Sequence, residues 1–139
     1  MTHTMGYFAN AEEVYTYIGG VFREAADHET QGPKMAAAGI TMALHYTDPE
    51  CELTVRFHEP RLEIVEGAGD GPADIHLYMR ADDAHRFWRG EYNLAVGLAK
   101  GQVKAKGPVS KILKLVPLTK PLFPIYKELT APKDAAVTA

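Results

Sequence analysis

Residues 90–115, GEYNLAVGLAKGQVKAKGPVSKILKL, change period twice within one short run and carry glycine at every joint. Asn93 is suited to cap a short helix whose apolar positions Leu94, Ala95 and Leu98 fall three and four apart, and Gly101 closes it as a left-handed C′ residue. From Gln102 to Lys106 polar and apolar residues alternate, so Val103 and Ala105 face inward while Gln102, Lys104 and Lys106 face water, the period of a half-buried strand. Gly107 and Pro108 turn the chain into a second helix, which carries Ile112, Leu113, Leu115 and Val116 before Pro117 bends or ends it. That is more apolar width than a narrow surface helix needs, and the stretch reads as the wall and lid of an apolar pocket.

Upstream, Asn10 and Glu13 form a capping-box pattern for a helix over 11–27, with Val14, Tyr17, Ile18, Phe22 and Ala25 on one face. Residues 28–39 read as a loop with one helical turn near 34–38. Four strands follow. Ile40, Met42, Leu44 and Tyr46 alternate with polar neighbours, as do Cys51, Leu53, Val55 and Phe57 after the Asp48-Pro49 turn. Arg61–Val65 and Ile75–Met79 supply two more, and Asp82 and Asp83 open a helix holding Ala84, Phe87 and Trp88 that Gly90 closes. One apolar face per strand predicts an antiparallel sheet covered by helices on one side only. After Pro117, the prolines at 121 and 124 restrict helix to about 121–129, and 130–139 reads as a flexible tail, leaving 10–129 as the ordered core of one domain.

The run of helix, AKGQVKAKG strand and Leu/Lys-rich helix resembles the sterol carrier protein 2 lipid-binding domain. Lys100, Gly101, Val103, Lys104 and Gly107 match its glycine-lysine strand signature, and ADIHLYMRADDAHRFWRGEYN is similar to the family's preceding strand and acidic helix start. The resemblance covers about Ile40 to Val116. It implies an α/β fold of the α+β type: a five-strand, largely antiparallel sheet, helices over one face, and an apolar cavity between them. It further implies binding and transfer of a sterol, fatty acid or fatty acyl-CoA, with no cofactor and no reaction. The lining residues expected on this basis are Leu77, Met79, Phe87, Trp88, Leu94, Leu98, Ile112, Leu113, Val116, Leu118 and Phe123.

Composition sets the remaining bounds. With 139 residues, 46% hydrophobic and 24% charged, the chain reads as one ordinary globular domain, and no apolar run reaches the roughly 18 residues of a membrane span. MTHTMGYFAN has no secretory pattern, the end carries no peroxisomal tripeptide, and the lone Cys51 forms no internal disulfide, so a cytoplasmic setting is expected. Residues 1–99 carry net −9 and residues 100–139 net +6. Lys104, Lys106, Lys111, Lys114 and Lys120 are accordingly read as docking residues for an anionic membrane surface, with no nucleic-acid partner. His45, His58 and His76 share the polar sheet face. The alternative reading is pairing through that face, as a homodimer or with another protein. Less favoured is an enzyme or metal site using His45, Arg56, His76 and Tyr78, since no ligand spacing such as HExxH occurs.

Overall fold

The computed structural model describes residues 6–69 and 71–138. Five strands, β1 (Ile40–Thr47), β2 (Cys51–Phe57), β3 (Glu63–Glu66), β4 (Ile75–Arg80) and β5 (Lys104–Lys106), lie in the order β3-β2-β1-β4-β5. The β1–β2 hairpin sets Leu44 opposite Leu53 and Met42 opposite Val55, so the apolar alternation of both strands falls on one face. β3 and β5 add antiparallel edges, whereas β4 runs parallel to β1 with Leu44 beside Leu77 and Tyr46 beside Met79. The sheet is therefore mixed, mostly antiparallel with one parallel pair. A period of two fixes which face a residue takes but not the direction of the neighbouring strand. Thr41, His45, Thr54, Arg56, His76, Tyr78, Lys104 and Lys106 alternate onto the other, uncovered face.

Helix α1 (Ala11–Asp27) begins where its capping residues dictate: the Asn10 side chain accepts from the Glu13 N–H at 3.0 Å, and Glu13 Oε1 accepts from the Ala9 N–H at 2.9 Å. Its buried stripe includes Val14, Ile18, Val21, Phe22 and Ala25. The 28–39 segment contains a helix, α2 (Gln31–Ala36), whose Met35 and Ala36 enter the core. Helix α3 (Ala81–Trp88) and helix α4 (Leu94–Ala99) follow β4, with the Asn93 side chain accepting from the Val96 N–H at 3.1 Å. Gly107, at φ +113°, passes so close to β4 that a Cβ would lie 2.5 Å from the Asp74 carbonyl oxygen, which explains a glycine between strand and helix.

The C-terminal third departs from expectation. Helix α5 (Val109–Thr119) continues past Pro117, tightens into a 3-10 segment (Lys120–Leu122), and leads into α6 (Phe123–Thr138). The region read as a flexible tail, 130–139, is thus helical as far as Thr138, and its last residue lies outside the described residues. Thr130 is fully buried, Lys133 pairs with Glu13 at 2.8 Å, and the Tyr7 hydroxyl donates to Asp134 at 2.6 Å. Turn-like composition after Thr130 misleads because the groups that hold this helix come from the other end of the chain.

Candidate functional site

A cavity of about 70 Å³ lies between the covered face of the sheet and the helices. Met42, Leu44 and Tyr46 of β1, Phe57 of β2, and Leu77 and Met79 of β4 form its floor. Phe22 of α1 and Met35 of α2 close one side, Ala84, Phe87 and Trp88 of α3 with Leu94 of α4 another, and Ile112, Leu115, Val116 and Thr119 of α5 the roof. Every side chain in this wall is apolar except for the Tyr46 hydroxyl, the Trp88 indole N–H and the Thr119 hydroxyl. A water needs only ~10–15 Å³ of such space, so the void exceeds a single solvent molecule while offering it few partners. Trp88 is held edge-on by Phe22, at 5.2 Å between ring centres, and by Phe87 at 5.3 Å.

The decisive observation is one of sequence. The family model for the SCP-2 sterol transfer family matches residues 22–120. The chain belongs to that family. The matched segment runs from the α1 stripe through the whole sheet to the end of α5, so it contains every element of the cavity wall. No curated protein sequence matches this SCP-2 chain. Solved structures of similar fold include apo sterol carrier protein 2 from Yarrowia lipolytica, at 20% identity and TM-score 0.61, covering 74% of this chain and 87% of that one. Palmitated SCP2L2 from Aedes aegypti is similar at 16% identity and TM-score 0.59, covering 77% and 94%. The inverting sec-alkylsulfatase from Pseudomonas sp. is similar at 16% identity and TM-score 0.55, covering 61% of this chain but 14% of the enzyme. Lipid binding and transfer is the activity of the family, and among solved structures this fold also occurs as a small part of an enzyme.

Within the SCP-2 domain, Leu77, Met79, Phe87, Trp88, Leu94, Ile112 and Val116 line the cavity. Four other expected lining residues lie elsewhere. Leu98 is half-buried and faces an outer groove with Val103 and Val109, Leu113 is 39% exposed on the outer side of α5, and Leu118 sits in a groove between α2 and α5. Phe123 packs behind the wall, 5.7 Å from the Phe87 ring and 6.3 Å from Trp88. Helical periodicity identifies apolar residues but does not tell the inner from the outer turn of a broad stripe. The residues missed, Phe22, Met35, Met42, Leu44, Tyr46, Phe57, Ala84, Leu115 and Thr119, come mainly from the sheet floor and first two helices. The signal for the floor was present, since β1 alternates Met42, Leu44 and Tyr46.

The lysines divide into two groups. Lys111 and Lys114 line the groove between α2 and α5, joined by Lys34, and Lys120 is exposed at the following turn. Lys104 and Lys106 pair opposite Tyr78 and His76, and Lys106 Nζ lies 5.8 Å from the Tyr78 ring centre. Those two therefore belong to the uncovered sheet face, and they border a groove that also holds Val109 at the start of α5. On that face His45 Nε2 lies 3.0 Å from His76 Nδ1, its ring stacks on Tyr78 at 4.4 Å, and its Nδ1 is 3.3 Å from Glu52. Burial lowers the His45 pKa, Glu52 offsets this in part, and His76 and Lys106 add to the lowering. His58 stands apart, 3.2 Å from the Thr41 hydroxyl. Among the described residues no three metal-ligating side chains converge.

Proposed function

We propose that this SCP-2 domain binds and transfers a single hydrophobic ligand, a sterol, fatty acid or fatty acyl-CoA, in the cavity between sheet and helices, and does so in the cytoplasm. The observation that carries the reading is the almost wholly apolar wall closed over by α5. The void of about 70 Å³ is smaller than the several hundred Å³ that pockets for ligands of this class occupy, so binding on this reading requires the helices to move off the sheet. Expansion is affordable. Burying about 400 Å² of hydrocarbon at ~25 cal/mol per Å² gains roughly 10 kcal/mol before ordering costs. The buried Gln31 side chain, which donates to the Leu118 carbonyl at 2.7 Å, is a direct polar tie between α2 and α5, and breaking such a tie costs about 1–3 kcal/mol.

Exchange with a bilayer belongs to the same reading. Val109 and Leu113 are exposed on α5 at 37% and 39%, beside Lys111 and Lys114. Apolar side chains beside lysines are the composition that settles a helix on an acidic lipid surface. The test is to extract the protein as purified and identify bound lipid by mass spectrometry, then titrate delipidated protein with sterols and fatty acids while following Trp88. Co-purifying lipid and a ligand-dependent change in emission are expected. A protein that carries none, and whose Trp88 responds to none, would remove the carrier reading.

A further inference from the structure

Helix α5 carries two adjoining stripes. Ile112, Leu115, Val116 and Thr119 recur at steps of three and one along one side of the helix and line the cavity, while Lys111, Lys114, Leu115 and Leu118 recur in the same way one position back and line a groove against α2. Leu115, only 6% exposed, belongs to both. Opposite the second stripe, α2 and the turn after it bring Lys34, Ala37 and Ala38, and the groove between them is open, with a volume of about 280 Å³. Cavity and groove are therefore the inner and outer sides of one wall, with Leu115 as the shared partition. The two sides differ in charge. No ionisable cation lines the cavity, whereas three exposed lysines line the groove. Neither α2 nor α5 contains an acidic residue, and among the described residues none of these three lysines pairs with a carboxylate.

Resting on the carrier reading above, we infer that the groove between α2 and α5 is the head-group subsite of the cargo: Lys34, Lys111 and Lys114 hold the phosphate of a single-chain lipid whose hydrocarbon passes Leu115 into the cavity. Like charges three residues apart on a helix repel, so an anion in the groove is favoured by the lysines it separates. Three cations are more than one carboxylate needs, and they suit a phosphate monoester, which carries about −1.5 to −2 near neutral pH. The head has no place inside, where a charge would be buried without a counter-ion. The Gln31 tie to the Leu118 carbonyl lies on the same seam, so a chain entering there opens the contact that joins the two helices. A sterol, with one hydroxyl and no charge, gains nothing from this groove. Apolar walls tell hydrocarbons of similar volume apart poorly, so the discrimination between cargo classes falls to the groove.

An acidic bilayer also attracts these lysines, so the test uses free ligand and no vesicles. An alkyl phosphate, the fatty acid and the 1-alkanol of one chain length, each below its micelle concentration, are titrated by calorimetry into the delipidated full chain at about pH 8, with inorganic phosphate as a fourth arm. Emission of Trp88, the single tryptophan, reports the chain in the cavity. The alkyl phosphate is expected to bind about tenfold or more tighter than the alkanol, with the difference shrinking in high salt, and to change Trp88 emission. Lys111→Gln with Lys114→Gln should weaken the alkyl phosphate about tenfold and leave the alkanol unmoved. Lys100→Gln with Lys127→Gln, which removes the same charge after α4 and on α6, should leave both unmoved. Equal affinity for phosphate and alkanol, a preference that survives the first double variant, or equal losses in both double variants would each overturn the assignment. Alkyl phosphate bound without any change at Trp88 would overturn the entry of its chain, and inorganic phosphate bound as tightly as the lipid would make the groove a site for the free ion and overturn its role as a head-group subsite. Tighter binding of the fatty acid, lost in the first double variant, would overturn the phosphate class. If none of the three lipids binds the parent, the carrier reading itself fails and takes this inference with it.

Discussion

His85 illustrates how one side chain ties distant parts of this fold together. Its ring lies flat against Tyr7 at 3.7 Å, its Nδ1 is 2.7 Å from the Tyr126 hydroxyl, and Tyr7 in turn donates to Asp134 at 2.6 Å. Burial lowers the His85 pKa below its ordinary 6.5, Arg89 adds to the lowering, and Asp134, Asp82 and Glu91 offset part of it. The neutral ring, which can accept the Tyr126 O–H, is thus the form the fold prefers. The unfolded chain binds the proton more readily, so this contribution is fully present above about pH 6.5 and is lost as pH falls toward the lower, folded value. His45 is shifted the same way, first by burial, and adds to the slope. Thermal unfolding followed from pH 8 to pH 5 should show a falling melting temperature below pH 6.5. His85→Gln, which does not titrate, should flatten that slope, and an unchanged slope in this variant would place the pH sensitivity elsewhere.

Among the elements, the contact between α2 and α5 is the one that the proposed carrier reading expects to control opening of the cavity. Leu118 lies in the last turn of α5, where carbonyls run out of ladder partners, and Gln31 at the start of α2 supplies the donor. Gln31→Ala should lower stability by about 1–3 kcal/mol in chemical denaturation and also speed ligand exchange. Lost stability with no change in exchange would mean that cargo leaves by another route. The sequence shows α5 and the strands clearly, because Ile112, Leu115 and Met42–Leu44–Tyr46 keep their periods, and the Asn10 and Asn93 caps mark two helix starts. It shows α2 poorly. Six residues that include Gly32 and Pro33 have little propensity of their own, and α2 exists because Met35 and Ala36 find a core to enter. The parallel β1–β4 pairing and the ordered α6 were invisible for a related reason: each rests on a partner far away in sequence, as Leu44 does on Leu77 and Asp134 on Tyr7. The site shared that fate. Its roof was legible as an over-wide stripe, while Phe22 and Met35 became wall residues only once tertiary packing brought them there.

For the whole molecule, the split of net −9 before residue 100 and net +6 after it is not one continuous patch. Lys133 pairs with Glu13, Lys104 and Lys106 stand on the uncovered sheet face, Lys100 follows α4 and Lys127 is exposed on α6, while Lys111, Lys114 and Lys120 lie around α5, with Lys34 across the groove. A lysine near an anionic bilayer is worth about 1 kcal/mol, so three or four together give weak, reversible attachment that salt weakens within a Debye length of ~8–10 Å. The net −3 of the molecule opposes adsorption in other orientations. Lipid transfer is therefore expected to be faster to vesicles containing acidic lipid than to neutral ones, with the difference fading as salt rises. Changing Lys111, Lys114 and Lys120 to Glu should slow transfer to acidic vesicles, whereas Lys104→Glu with Lys106→Glu should leave it near the parent rate. The second pair makes the experiment specific, because it changes the net charge by four units, against six for the first set, on the uncovered face of the sheet. Equal slowing by both sets would reduce the effect to overall charge, and equal transfer to both vesicle types at low salt would leave the α5 lysines only a solubilising role.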